Sequence, residues 1–94
     1  MRVVNLRLIH QFSAAHPDCK SALDSWVAEL QEAEWKTPVD LKRRYPSASV
    51  LRGKRVVFNI KGNRYRALTL IDYESGIVIV KELGTHAEYD GWVL

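Results

Sequence analysis

The chain has one cysteine, Cys19, and one methionine, Met1. A lone thiol rules out an intrachain disulfide and a cysteine metal cluster. The three histidines, His10, His16 and His86, are scattered. No carboxylates stand beside them at ligand spacing, so no metal site is expected. No apolar run approaches the roughly 18 residues of a membrane span, and the first residues lack the apolar stretch of a signal peptide. The phosphate loop G-x-x-x-x-G-K-[ST], the dinucleotide pattern G-x-G-x-x-G and the nucleophile elbow G-x-S-x-G are all missing. Internal repeats, low-complexity tracts and domain linkers are missing too. What remains is one domain over residues 1–94, expected to be soluble and cytoplasmic, with no cofactor and no membrane partner.

The chain has enough apolar material to fold. Its apolar fraction is 47%, with three tryptophans, which is too hydrophobic for a disordered segment of modest charge. The net charge of +3 conceals an uneven distribution. Residues 1–35 carry three basic and five acidic side chains, and residues 67–94 carry one basic and five acidic. Between them, residues 36–66 carry ten basic side chains against a single acid, Asp40. Such a block is where an anionic partner docks, and nucleic acid is the commonest one. The plainer reading is a set of solvated cations that keeps the domain soluble.

"MRVV" reads as a short strand. Asn5 can cap a helix running to about Ala14, with Leu8, Ile9 and Phe12 on one side. Pro17 suits the start of a second helix, in which Leu23, Trp26, Val27, Leu30 and Ala33 recur at helical spacing as a core stripe. "TPVDLKRRYP" predicts a third helix, with Thr37 as N-cap, Pro38 first and Asp40 in the first turn. Strands follow at Arg55–Ile60, Tyr65–Tyr73 and Ile77–Leu83, joined by turns at "KGN" and "ESG". The run "IVIVKEL" begins apolar on both faces, as in a strand covered on both sides. Thr85 and Glu88 spell a capping box for a last helical turn. The expected fold is α+β: a twisted, mostly antiparallel sheet with the N-terminal helices on one face and the other face partly open.

Strand alternation places Arg64, Arg66, Leu68 and Leu70 on one side of the central strand, and Tyr65, Ala67, Thr69 and Ile71 on the other. Arg66 then heads an apolar row, where an unpaired guanidinium is costly. It either pairs with Glu82 or Glu88 or is held for an anionic ligand. A single histidine is more often structural than catalytic, and His10 and His16 read as structural or surface residues. His86 has closer company, with Tyr89 three residues on along the same turn. An arginine, an imidazole and a phenol are the residue types that stabilise a crowded phosphorane and move its protons without a metal.

"YPSA", "VVFNIKGNRYRAL" and "GTHAEYD" resemble the HigB toxins of bacterial toxin–antitoxin modules, relatives of the RelE group of messenger-RNA interferases. By motif the resemblance spans about residues 38–92, and by length and element order it covers the whole chain. It implies a RelE-like fold and metal-independent cleavage of messenger RNA, typically in the ribosomal A site of the 30S subunit. The substrate's own 2′-hydroxyl attacks the adjacent phosphate. It further implies a HigA-like helix-turn-helix antitoxin, through which alone the toxin meets operator DNA. Arg66 matches the motif arginine expected at the scissile phosphate, and His86 and Tyr89 match the pair expected near the reacting groups. Arg43, Arg44, Lys54, Lys61 and Arg64 are the expected RNA-binding cations; Lys54 and Lys61 lie in the basic stretch rather than at a motif letter. The alternative is a non-cleaving binder of the same fold, of the gyrase-poisoning kind, since fold alone does not fix function. An acid–base pair at His86 and Tyr89 favours the nuclease, because a pure binder has no need of one.

Overall fold

The computed structural model describes all residues, Met1–Leu94. The elements run β1 (Arg2–Val4), α1 (Leu6–Ala15), a 3₁₀ turn (Pro17–Cys19), α2 (Lys20–Glu32), α3 (Pro38–Arg44), β2 (Ser49–Val50), β3 (Arg55–Ile60), β4 (Tyr65–Asp72), β5 (Ile77–Thr85) and α4 (His86–Asp90). The five strands form one sheet in the order β1-β5-β4-β3-β2. Its hairpins are antiparallel, and β1 alone pairs in parallel, against β5. The result is the α+β architecture expected from the pattern.

The helical layer covers one face of this sheet. Leu23, Trp26 and Leu30 of α2 are buried, as their spacing predicts, together with Ile9 of α1 and Leu41 of α3. They pack on Val56, Phe58, Ile60, Ala67, Ile71, Val78 and Val80 from the strands, in a single cluster of 17 buried residues. Trp26 and Tyr45 both set their rings edge-on to Phe58, with centroids 5.3 Å away in each case. Truncating one of the fully buried leucines to alanine in such a core costs about 2–5 kcal/mol. Helix α3 is started as its sequence indicates: the Thr37 hydroxyl accepts from the Asp40 N–H, Asp40 accepts in return from the Thr37 N–H, and Pro38 stands first.

Five details differ from the sequence reading. Asn5 precedes α1 in a left-handed conformation, φ 78°, and makes no cap hydrogen bond. Asparagine tolerates that conformation, and its side-chain amide instead donates to the Val80 carbonyl at 3.0 Å, pinning the β1–α1 corner to β5. Pro17 opens the 3₁₀ turn rather than α2, which starts at Lys20. β2 is a strand of only two residues, too short to show a period of its own. Ile77 and Ile79 are half-exposed rather than covered on both sides, because the main helical layer packs on the opposite face, which Val78 and Val80 fill. Finally, β5 extends through Gly84 and Thr85, which pair with Arg66 and Tyr65.

The face opposite the helices carries Arg55, Val57 and Asn59 of β3, Arg66, Leu68 and Leu70 of β4, and Ile79, Glu82 and Gly84 of β5, as cross-strand partners. A bulge between Leu68 and Thr69 takes Lys81 out of the pairing and keeps the two faces in phase across it. After α4 the chain turns back across this face, and the Leu94 main-chain oxygen accepts from the Arg55 guanidinium at 2.5 Å.

Candidate active site at the hairpin rim

Arg66, the second residue of β4, lies just past the turn that joins β3 to β4. That turn needs two consecutive left-handed residues, Lys61 at φ 53° and Gly62 at φ 68°. The turn reverses the chain so tightly that the Asn63 carbonyl faces back over the strand and accepts from the Arg66 guanidinium at 2.6 Å. The same nitrogen lies 3.4 Å from the Tyr65 carbonyl. Arg66 is 9% exposed and belongs to no ion pair; neither Glu82 nor Glu88 meets it. Its partners are carbonyl dipoles and an aromatic face, with the guanidinium carbon 5.1 Å from the Tyr89 ring centre.

α4 supplies that ring and the imidazole. The Thr85 hydroxyl accepts from the Glu88 N–H at 3.2 Å, and the Glu88 carboxylate accepts from the Thr85 N–H at 3.0 Å. Those bonds hold the Glu88 carboxyl below its ordinary range, the backbone bond from Thr85 foremost. The main-chain N–H of His86 donates to the Arg64 carbonyl at 2.9 Å, which ties the start of the turn to the hairpin. The His86 and Tyr89 rings lie 6.5 Å apart and tilted by 40°, and His86 Nδ1 is 3.6 Å from the Asp90 carboxylate. Arg64, Asn63, Thr85 and His86 line one open cleft at the rim of the sheet. Arg66, His86, Tyr89 and Arg64 are therefore neighbours, although about 20 residues of chain separate the two arginines from α4.

The other basic candidates lie elsewhere. Lys61 turns to the helical side, donating to the Asp18 carbonyl at 2.8 Å, with its Nζ 3.5 Å from the Asp18 carboxylate. The Tyr65 hydroxyl donates to the same carboxylate, 2.8 and 2.7 Å from its two oxygens. That bond is the main reason the Asp18 carboxyl sits below its usual range and the Tyr65 phenol above it. Lys54 pairs with Asp72 at 3.7 Å, next to Arg55; Arg55 is roughly 14 Å along β3 from Asn59, the partner of Arg66. Arg43 lies 3.6 Å from Asp40 on α3. Arg44 pairs with Glu29 and stacks on Tyr45, 4.8 Å from the ring centre. Two contributors that sequence reading passed over are Asn63, through its carbonyl, and Trp92, whose ring meets Tyr89 edge-on at 5.4 Å. A carbonyl has no residue-type signature, and a tryptophan near a chain end reads as ordinary packing.

No three His, Cys, Asp or Glu side chains converge in a way that could hold a metal ion. What the rim offers chemically is a fixed cation under a phenol ring, with an exposed imidazole on the same short helix as that ring.

An open, mostly antiparallel five-stranded sheet with helices on one face is the architecture of a small α+β RelE-like toxin. Residues 19–92 match the HigB toxin family, described as the RelE-like toxic component of a toxin–antitoxin system. The mRNA interferase toxin HigB of Escherichia coli K12 is 27% identical over 92 residues, which cover 96% of this chain and 88% of the relative. The mRNA interferase HigB of Shigella flexneri matches equally, and that of Escherichia coli O6:H1 is 25% identical over the same length. The chain belongs to the HigB family of toxin–antitoxin toxins.

Proposed function

We propose that this toxin is an endoribonuclease that cleaves messenger RNA, acting through Arg66, His86 and Tyr89. The observation that carries the reading is Arg66, a guanidinium 9% exposed with no carboxylate partner. Burying a charge without its counter-ion is costly, and such a cation is compensated when an anion arrives. A backbone phosphate has the required charge and accepts two parallel N–H bonds from one guanidinium. The reaction that fits is attack by the ribose 2′-hydroxyl on the adjacent phosphorus. It forms a 2′,3′-cyclic phosphate and breaks the bond to the 5′ oxygen. One proton leaves the 2′-hydroxyl and one must reach the departing 5′ oxygen. His86 is the group placed to exchange them, and Arg66 offsets the charge that grows on the phosphoryl oxygens. Tyr89 offers a ring for an unstacked base beside the scissile bond.

Relatives named mRNA interferases cover nearly the whole chain, which supports this reaction over a binder that does not cut. We place the reaction in the cytoplasm, on messages held in the 30S A site. The neutralising partner is a HigA-like antitoxin with a helix-turn-helix domain, which brings the toxin to its operator DNA. Induction of the toxin in cells, followed by mapping of new 5′ ends, tests the activity: cuts within translated frames are expected. Arg66→Ala should keep the fold and lose about 10²–10³-fold in cleavage rate, as removal of one preorganised donor usually does. Intact messages alongside arrested growth would replace this reading with the non-cleaving one.

A further inference from the structure

Gly84 lies on the open face directly across from Arg66 in the β4–β5 pairing, and it is buried. It is not among the glycines with a positive φ, so its backbone does not require glycine. Space does. A Cβ at position 84 would stand 2.8 Å from Trp92 Cζ2 and 3.2 Å from the Glu88 Cβ, closer than carbon atoms pack. The indole of Trp92 therefore rests on bare β5 backbone, beside the side chain of Arg66.

A chain of contacts leads from that seat. Trp92 meets Tyr89 edge-on at 5.4 Å, and Tyr89 lies over the Arg66 guanidinium at 5.1 Å. The main-chain N–H of Trp92 donates to the Tyr89 carbonyl at 2.9 Å, so the two residues sit on one tight turn. α4 has only five residues and buries none of its own side chains. A helix that short does not hold itself together in water. Its capping box holds the first turn, and Trp92 is the apolar anchor that holds the last turn on the sheet.

We propose that Trp92 is a positioning residue for the active site. Seated on Gly84, it holds Tyr89 over Arg66, and position 84 is glycine in order to admit it. The proposal rests on the assignment of Arg66 and Tyr89 to the site, so its test carries a readout independent of cleavage. The Tyr89 ring shifts the Arg66 side-chain resonances through its ring current. In the isotopically labelled full chain, Trp92→Ala and Gly84→Ala should both move those signals toward the values of an unstructured arginine, with circular dichroism and the melting curve showing the sheet intact. Trp92→Phe keeps an aromatic seat and should restore part of the shift. Unchanged Arg66 signals in both alanine variants would overturn the proposal.

Single-turnover cleavage adds the second arm. Trp92→Ala should slow cleavage on the order of 10²-fold, as loss of the ring that orients the base beside the scissile bond does. In a Tyr89→Ala background, removing Trp92 should cost little more, because the indole acts through that ring. Wild-type cleavage in Trp92→Ala, or losses that multiply in full with those of Tyr89→Ala, would sink the positioning role. If the native protein cleaves no message, the proposed function falls instead, and the resonance shifts still decide whether Trp92 seats Tyr89.

Discussion

His86 and Tyr89 share a turn but differ in what they can exchange. An imidazole trades protons near neutrality far more readily than a phenol does, and His86 is exposed at the rim whereas Tyr89 is half-buried against Arg66 and Trp92. His86→Ala should therefore lose more activity than Tyr89→Phe, which keeps the ring and surrenders only the hydroxyl. A general acid or base contributes about 10²–10⁴-fold, so the imidazole loss should register both as rescued growth and as slow single-turnover cleavage. A dead Tyr89→Phe beside a nearly intact His86→Ala would hand the proton work to the phenol. Asp90, by contrast, is a surface carboxylate 3.6 Å from His86, and exposed pairs of that kind contribute little.

Among the elements, α3 is held to α2 by a polar clasp rather than by a broad apolar seam. The Tyr45 hydroxyl donates to Glu29, whose other oxygen takes Arg44, and the Tyr45 ring closes on Trp35 and Phe58. Burial first, and then the Glu29 hydrogen bond, push the Tyr45 phenol above its ordinary range. The folded state thus prefers the neutral phenol. Its contribution is fully present below the unfolded tyrosine pKa of about 10 and is lost as pH rises through the higher folded value. Denaturant midpoints followed between about pH 8 and 11 should fall less steeply for Tyr45→Phe than for the native chain. Equal alkaline slopes would mean that the clasp has no part in holding α3.

On the scale of the molecule, the ten basic residues of the 36–66 block do not form one patch. Arg43, Arg44, Lys54 and Lys61 are each engaged with a carboxylate on the helical side or at the far end of the sheet. Arg64, exposed and in no ion pair, stands at the rim beside His86. RNA binding should weaken as salt rises, with a log–log slope that follows the number of phosphates engaged. Arg64→Glu should flatten that slope by more than Arg44→Glu does. Equal effects would spread the RNA track over the helical face as well.

Local chemistry was enough to specify much of this protein. Three features were legible along the chain: the α2 stripe through Leu23, Trp26 and Leu30, the caps at Thr37 and at Thr85–Glu88, and the alternation that turns Arg66 and Ala67 to opposite faces. Each depends on side chains no more than a few residues apart, as does the "THAEY" spacing of His86 and Tyr89. The fate of individual charges was not legible. Whether Arg66 met Glu82, Glu88 or neither depended on how β4, β5 and α4 converge, and the Asn63 carbonyl that took the place of an acid carries no sequence signal. Lys61 and Arg66 are five residues apart, yet their side chains work on opposite faces, because the turn geometry and the position of Asp18 in the helical layer direct one of them away. Gly84 falls just past the strand expected at Ile77–Leu83, and only the fold puts it inside β5 with Trp92 lying on it. Period and capping are local properties, but pairing a charge or seating a ring needs a second segment brought back by the fold, and only the tertiary structure decides which segment arrives.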